Sequence, residues 1–173
     1  ENAKAKWGNV ESAYQRRADL IPNLVATVKG AAASETQILT QVTQARASAT
    51  SINIKTEDLS NPETFSKFEG AQNQLTQALG QLRTVVEKYP DLKSQERFAD
   101  LMTQLEGTEN RINVARERYN SAVKDYNVTI RTFPAVVAAK VVYGAQPMVP
   151  FQADASAQSA PKVSFGAPSS GAK

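Results

Sequence analysis

FADLMTQLEGTENRINVARERYNSAVKDYNVTIRTF, residues 98–133, carries a large apolar or aromatic side chain at every seventh place: Phe98, Leu105, Ile112, Tyr119, Tyr126 and Phe133. Residues seven apart share one helix face, so this run in phase predicts one long α-helix, coiled-coil-like, with a seam laid against partner helices. The positions three further on, Leu101, Thr108, Ala115, Ala122 and Thr129, are mostly small and allow a neighbouring helix to come close. The heptad fixes an architecture and assigns no chemistry.

Working back from this stretch, Phe65, Phe68, Gln72, Leu75, Leu79, Leu82, Val86 and Tyr89 predict a second helix over about 62–89. Asn61-Pro62-Glu63 supplies its start: an N-cap, a proline at the first helical position and a carboxylate at the positive helix end. Pro90-Asp91 ends it, and Ser94 is expected to cap the helix over about 95–132, so the two form an antiparallel hairpin. Further upstream, Trp7, Val10, Tyr14, Ile21, Val25, Val28, Ala32, Leu39, Val42 and Ala49 recur at helical spacing, with gaps at Arg17 and Glu35. They predict one helix over about 3–51, on the order of 70 Å long, with a kink at Pro22 where the ring removes a hydrogen bond. Such a helix outruns the second, so residues 7–21 are expected either to project or to lie under the C-terminal tail.

Downstream, Phe133-Pro134 turns the chain, a short helix is expected over about 135–142, and Gly144 stops it. Residues 147–173 are rich in Ala, Ser, Gly and Pro and read as an extended or disordered tail. The predicted fold is all-α: an elongated antiparallel four-helix bundle over residues 1–146, built from three long helices and a short fourth.

Composition removes several function classes. Among 173 residues there is no cysteine and no histidine. Disulfides, thiol nucleophiles, catalytic triads and the imidazole-containing zinc and di-iron motifs therefore have no residues to use. No catalytic residue, cofactor site or metal site is predicted. Twenty basic residues stand against 17 acidic ones, a net charge of +3. Both signs interleave on each helix, which describes a solvated surface rather than the basic stripe of a nucleic-acid binder. The longest apolar stretch, 133–143, is short of a membrane span and contains Lys140. The chain starts at Glu1 without an initiator methionine, and an upstream segment is expected to have been removed.

Several patches resemble one family. YQRRADLIPNLV (14–25) followed by Val28-Lys29-Gly30, YPDLK (89–93), LEGTENRI (105–112), the doubled Tyr119-Asn120 and Tyr126-Asn127, Phe133-Pro134 and PKVSF (161–165) are similar to motifs of the LemA proteins, in the family's order. The resemblance implies a bacterial, largely helical bundle tethered to the inner membrane by a transmembrane helix just upstream of Glu1, and a family without an agreed biochemical activity. It also marks 161–165 as a segment expected to dock.

Five residues are candidate interaction or ion-pair sites. Arg16 and Arg17 could bind phosphate or lipid headgroups, but Arg17 falls where the apolar stripe is interrupted and is expected to meet a carboxylate of another helix. Glu106 and Glu109 are three apart and share a face, as paired carboxylates do; a salt-bridge network involving Arg116 is the expected outcome. Gln72 occupies a seam position and is expected to be hydrogen-bonded, either to the third helix between Glu109 and Asn113 or to the first helix opposite. Asn120 and Asn127 are expected to bond a helix end or the 161–165 segment. Gly30, Gly70, Gly80 and Gly107 inside helical pattern suggest close helix approach.

The function expected from these readings is a non-enzymatic, membrane-tethered scaffold or protein-interaction module of the bacterial envelope, with protein partners and no nucleic acid. The alternatives are a ligand- or metal-binding bundle with a carboxylate site, and a peripheral binder of anionic lipid through Arg16 and Arg17. Lys4, Lys6, Arg16 and Arg17 near the junction favour a cytoplasmic bundle. Upstream residues can reverse that bias, so both sides of the membrane remain open.

Overall fold

The computed structural model describes residues 1–132 and 146–152, and every regular element among them is helical. In order these are α1 (Asn2–Ala31), α2 (Thr36–Ser51), a 3₁₀ turn (Thr56–Ser60), α3 (Pro62–Val86), the single turn α4 (Pro90–Lys93) and α5 (Glu96–Arg131). The short helix expected over 135–142 and the 161–165 segment lie outside the described residues.

One long helix over 3–51 is not what forms. The chain reverses between Ala31 and Thr36, and α2 returns antiparallel along α1. Periodicity hid the turn because Val28, Ala32 and Leu39 stay in phase across it. The reversal is held from outside: the Tyr89 hydroxyl donates to Glu35 Oε1 at 2.8 Å and lies 3.4 Å from Ser34 Oγ. Glu35, a gap in the apolar stripe, is thus a turn residue gripped from the connection between α3 and α4.

Pro22, in contrast, sits within a continuous α1. Its missing N–H leaves the Ala18 carbonyl without its helical donor. Arg46 of α2 supplies a substitute, with Nε donating to that carbonyl at 2.8 Å. The defect in one helix becomes a clasp between two.

Local sequence sets the start of α3. The Asn61 side chain accepts from the amides of Glu63 and Thr64, and Pro62 takes the first helical position. At the other end Pro90 opens α4 rather than simply stopping a helix, and Gln95 precedes α5 where Ser94 was expected; the Ser94 hydroxyl instead donates to the Asp91 carbonyl.

The elements form an antiparallel bundle. α1 packs on α5 and α2, and α2 packs on α3. Ring contacts of Tyr119 with Trp7 and Phe65 bring the C-terminal half of α5 against the starts of α1 and α3. α2, at 16 residues or about 24 Å, is less than half as long as α5, about 54 Å with 36 residues. The rest of its column is filled by the linker through Leu59 and by a strap, residues 146–152, tied together where Val149 N–H donates to the Leu59 carbonyl at 2.8 Å. The strap belongs to the bundle: Met148 and Phe151 are buried in its core. The bundle boundary expected at residue 146 is therefore too early.

Two cores result. One end is aliphatic, packing Leu24, Val28, Val42, Leu75, Leu79 and Leu105. The other is aromatic: Trp7 lies with its ring centre 5.3 Å from those of Phe68 and Tyr119, 5.6 Å from Phe65 and 6.0 Å from Phe151. Trp7 is only 4% exposed, so it does not project. The strap covers it, through Phe151. The helical glycines do not mark close approach: a Cβ added at Gly30, Gly70, Gly80 or Gly107 would meet nothing within 4 Å.

Candidate functional site

A polar layer separates the two cores. Arg17 of α1 is 2% exposed and reaches across to α3. Its Nη1 donates to Thr76 Oγ1 at 2.7 Å, and its Nη2 donates to the Gln72 side-chain oxygen at 2.8 Å and to the Gln72 carbonyl at 3.1 Å. The guanidinium also lies 5.2 Å from the Tyr14 ring centre. Arg17 therefore meets neutral oxygens where a carboxylate partner was expected, and its Nε finds no hydrogen-bond partner. Burial pushes its guanidinium below the ordinary value; Tyr14 and the nearby Glu109 carboxylate oppose that shift, and Arg116 adds to it. Gln72, 5% exposed, makes its contact with α1 rather than with α5.

The carboxylates are held in separate pairs. Glu109 accepts from Arg83 Nη2 at 2.7 Å, while Glu106, one turn back, is exposed. Glu109 is thus engaged by Arg83 while Glu106 faces solvent, and no cluster of three or more metal-ligating side chains occurs among the described residues. Arg116 pairs with Glu69 of α3 at 3.7 Å rather than with Glu109. Arg16, next to Arg17 in sequence, turns outward to solvent beside Arg111 and Arg118 in the α1–α5 groove. The two adjacent arginines diverge by about 100° around the helix and do not converge on one anion.

The most organised polar contacts are elsewhere, where the strap lies antiparallel on α5. Asn127 embraces Met148: its Nδ2 donates to the Met148 carbonyl at 3.0 Å and its Oδ1 accepts from the Met148 N–H at 2.9 Å. Asn120 treats Phe151 alike, at 3.2 Å and 2.8 Å. The Tyr126 hydroxyl donates to the Gln146 carbonyl and the Tyr119 hydroxyl to the Val149 carbonyl, both at 2.9 Å. Burial pushes the Tyr119 hydroxyl above its ordinary pKa, keeping it a neutral donor. Beyond, Arg116 stacks 4.7 Å from the Phe151 ring centre and donates to the Gln152 carbonyl at 3.3 Å. Glu69 accepts from the Gln152 N–H at 3.2 Å.

The two asparagines thus bond neither a helix end nor, as far as the described residues go, the 161–165 segment; they hold a strap nearer in sequence, at Met148 and Phe151. The signal was present in the sequence as Tyr-Asn repeated at a spacing of seven. Its meaning needed the register of a second segment. Seven helical residues advance about 10.5 Å and three extended residues about 10 Å, so side chains one heptad apart meet main-chain groups three residues apart.

Comparison with known proteins agrees with the motifs. The model of the LemA family matches residues 6–165. Magnetosome proteins MamQ 2 and MamQ 1 of Paramagnetospirillum magneticum are each 32% identical over 150 residues, covering 78% of this chain and 55% of the relative. MamQ of Magnetospirillum gryphiswaldense is 31% identical with the same coverage. The chain spans about half the length of these curated relatives.

Proposed function

The chain belongs to the LemA family, and from that premise we propose that it acts as a non-enzymatic, membrane-tethered scaffold or interaction module of the bacterial envelope. The observation that carries the reading is that the main buried and half-buried charged groups are engaged by one another and by neighbouring helices. Arg17 is bound by Thr76 and Gln72, Glu109 by Arg83, and Glu69 by Arg116 and the strap. These groups hold helices to one another, and what the bundle presents outward is long helical faces suited to protein contacts. The relatives named as magnetosome proteins support association with a membrane-bounded bacterial structure.

The tether in this reading is a single transmembrane helix preceding Glu1, with α1 continuing from it. No helix among the described residues is long and apolar enough to cross a membrane. The start of α1 is packed by Trp7 and Ala3, so a helix entering there would be rigidly joined to the bundle. Cells expressing the full-length gene, fractionated and probed with protease from either side, test the tether. The protein should sediment with inner membranes and be cut from one side alone. Recovery in the soluble fraction would overturn the reading.

A further inference from the structure

We propose that the aromatic end of the bundle is a binding cleft for an extended segment of a partner protein, and that strap 146–152 is its resident occupant when the partner is absent. This rests on the reading of the chain as an interaction module and names the kind of segment it would take. Its basis is the way the strap is held. A segment that only sealed a core would need apolar contacts; here Asn120, Asn127, Tyr119 and Tyr126 address the strap's main chain. Amide side chains that accept an N–H and donate to the carbonyl of one residue read backbone and ignore side-chain identity. The spacing of these side chains, one heptad on α5 against three residues of strap, is the ruler of an extended peptide laid antiparallel on a helix.

Specificity enters chiefly at two positions, with Val149 half-buried between them. Met148 and Phe151 are buried, at 8% and 4% exposure, against Trp7, Phe65 and Tyr119. Residues 146, 147, 150 and 152 are exposed. The ligand class is therefore an extended segment with an apolar side chain at one position, a half-buried apolar one next to it, an aromatic or large apolar one three residues on from the first, and free choice at the exposed positions. A charge at the Met148 position is excluded, because it would be buried among apolar side chains, and a cation at the Phe151 position is disfavoured by Arg116, which lies over that ring.

The competitor is tethered, which sets the experiment. In the full chain, Met148→Ala with Phe151→Ala weakens the strap and leaves the cleft's own residues intact. A fluorescein-labelled peptide of residues 144–153, GAQPMVPFQA, is titrated and followed by anisotropy. Saturable binding to this variant is expected, at least about tenfold tighter than to the unaltered chain, whose strap competes. Adding Asn120→Ala should weaken it about tenfold, as should N-methylation of the peptide's Phe amide, since each leaves a partly buried polar group unmet.

Should the double variant fail to fold, a second route keeps the cleft native. A protease recognition sequence is placed within residues 135–142, the folded chain is cut, and exchange of the severed strap for labelled peptide is measured. No saturable binding in the folded variant and no exchange after cleavage would overturn the proposal, as would affinity indifferent to Asn120→Ala. Dimerisation of the unaltered chain by strap exchange, without uptake of free peptide, would also overturn it by assigning the cleft to a second copy. Failure of the peptide to bind leaves the membrane-fractionation result untouched, so the two readings can fall separately.

Discussion

The aliphatic and aromatic ends of the bundle are closed in different ways. At the aliphatic end, α1, α2, α3 and α5 all contribute helical faces, and Leu75, Leu79 and Val42 are packed by elements joined through short connections. At the aromatic end α2 is missing, and its place is taken by a linker and by the strap 146–152. The first end can lose its packing only by unfolding helices. The second can open when one short segment leaves, because the helices around Trp7 remain hydrogen-bonded within themselves. Cores of equal burial therefore need not be equally stable locally.

Between them lies the Arg17 layer, and breaking it should produce a large effect. Gln72→Leu removes one acceptor of a buried guanidinium, leaving the Thr76 hydroxyl and the main-chain carbonyl, and a loss of about 3 kcal/mol is expected from urea unfolding. Arg17→Met combined with Gln72→Leu should recover most of that loss, because no charge is then left buried. Equal losses in the single and double variants would show that the layer does not couple the two ends.

The difference between the ends is tested directly by Leu75→Ala against Phe151→Ala. Leu75→Ala should cost about 2–5 kcal/mol and lower the unfolding midpoint of the whole bundle. Phe151→Ala should cost less, since its effect is capped by the docking free energy of the strap. It should shift Trp7 emission to the red before the main transition. If Phe151→Ala lowers the global midpoint as far as Leu75→Ala does, the two ends form one cooperative unit.

A smaller effect probes the clasp that seats α2 at the aliphatic end. Arg46→Ala should destabilise the native sequence by about 1–2 kcal/mol but do much less beside Pro22→Ala, where the Ala18 carbonyl recovers its helical donor. The coupling from the double-mutant cycle should be about 1 kcal/mol. Zero coupling would show that the Arg46–Ala18 contact is incidental.

Helix propensity should not distinguish the ends. Gly8 and Gly80 both have room for a Cβ, so Gly8→Ala at the aromatic end and Gly80→Ala at the aliphatic end should each add about 0.5–1 kcal/mol. A gain at Gly80 alone would mean that the start of α1 is already frayed at the unfolding midpoint.

The smallest expected effect is pH-dependent and confined to the aromatic end. Burial raises the Tyr119 pKa, so folding favours its neutral form. The stability this contributes is complete below the ordinary tyrosine value of about 10 and is lost as pH rises above it. The urea midpoint should therefore fall more steeply between pH 9 and 11 (approximate limits set by that value) in the native sequence than in Tyr119→Phe. Parallel slopes would show that the Tyr119 hydroxyl opens to water before it titrates.

What the sequence determined by itself was whatever depends on neighbours within a turn or two. The heptad from Phe98 to Tyr119 is buried as its spacing implies, and Asn61-Pro62-Glu63 starts a helix because a cap, a fixed φ and a helix dipole act over four residues. The seam position of Gln72 was legible as a polar place in a core, for the same reason of period. Tertiary structure decided whatever needed two distant segments at once. The reversal between Ala31 and Thr36 is invisible in a phase-preserving pattern and is fixed by Tyr89, more than fifty residues away. Arg17 met neutral oxygens of Gln72 and Thr76 because helix register, set by all the packed side chains together, brought those groups within reach ahead of any carboxylate. The Tyr-Asn repeat stood in the sequence as a spacing without an object, since a heptad becomes a peptide ruler only when an extended segment rising about 3.3 Å per residue is laid beside a helix rising about 1.5 Å.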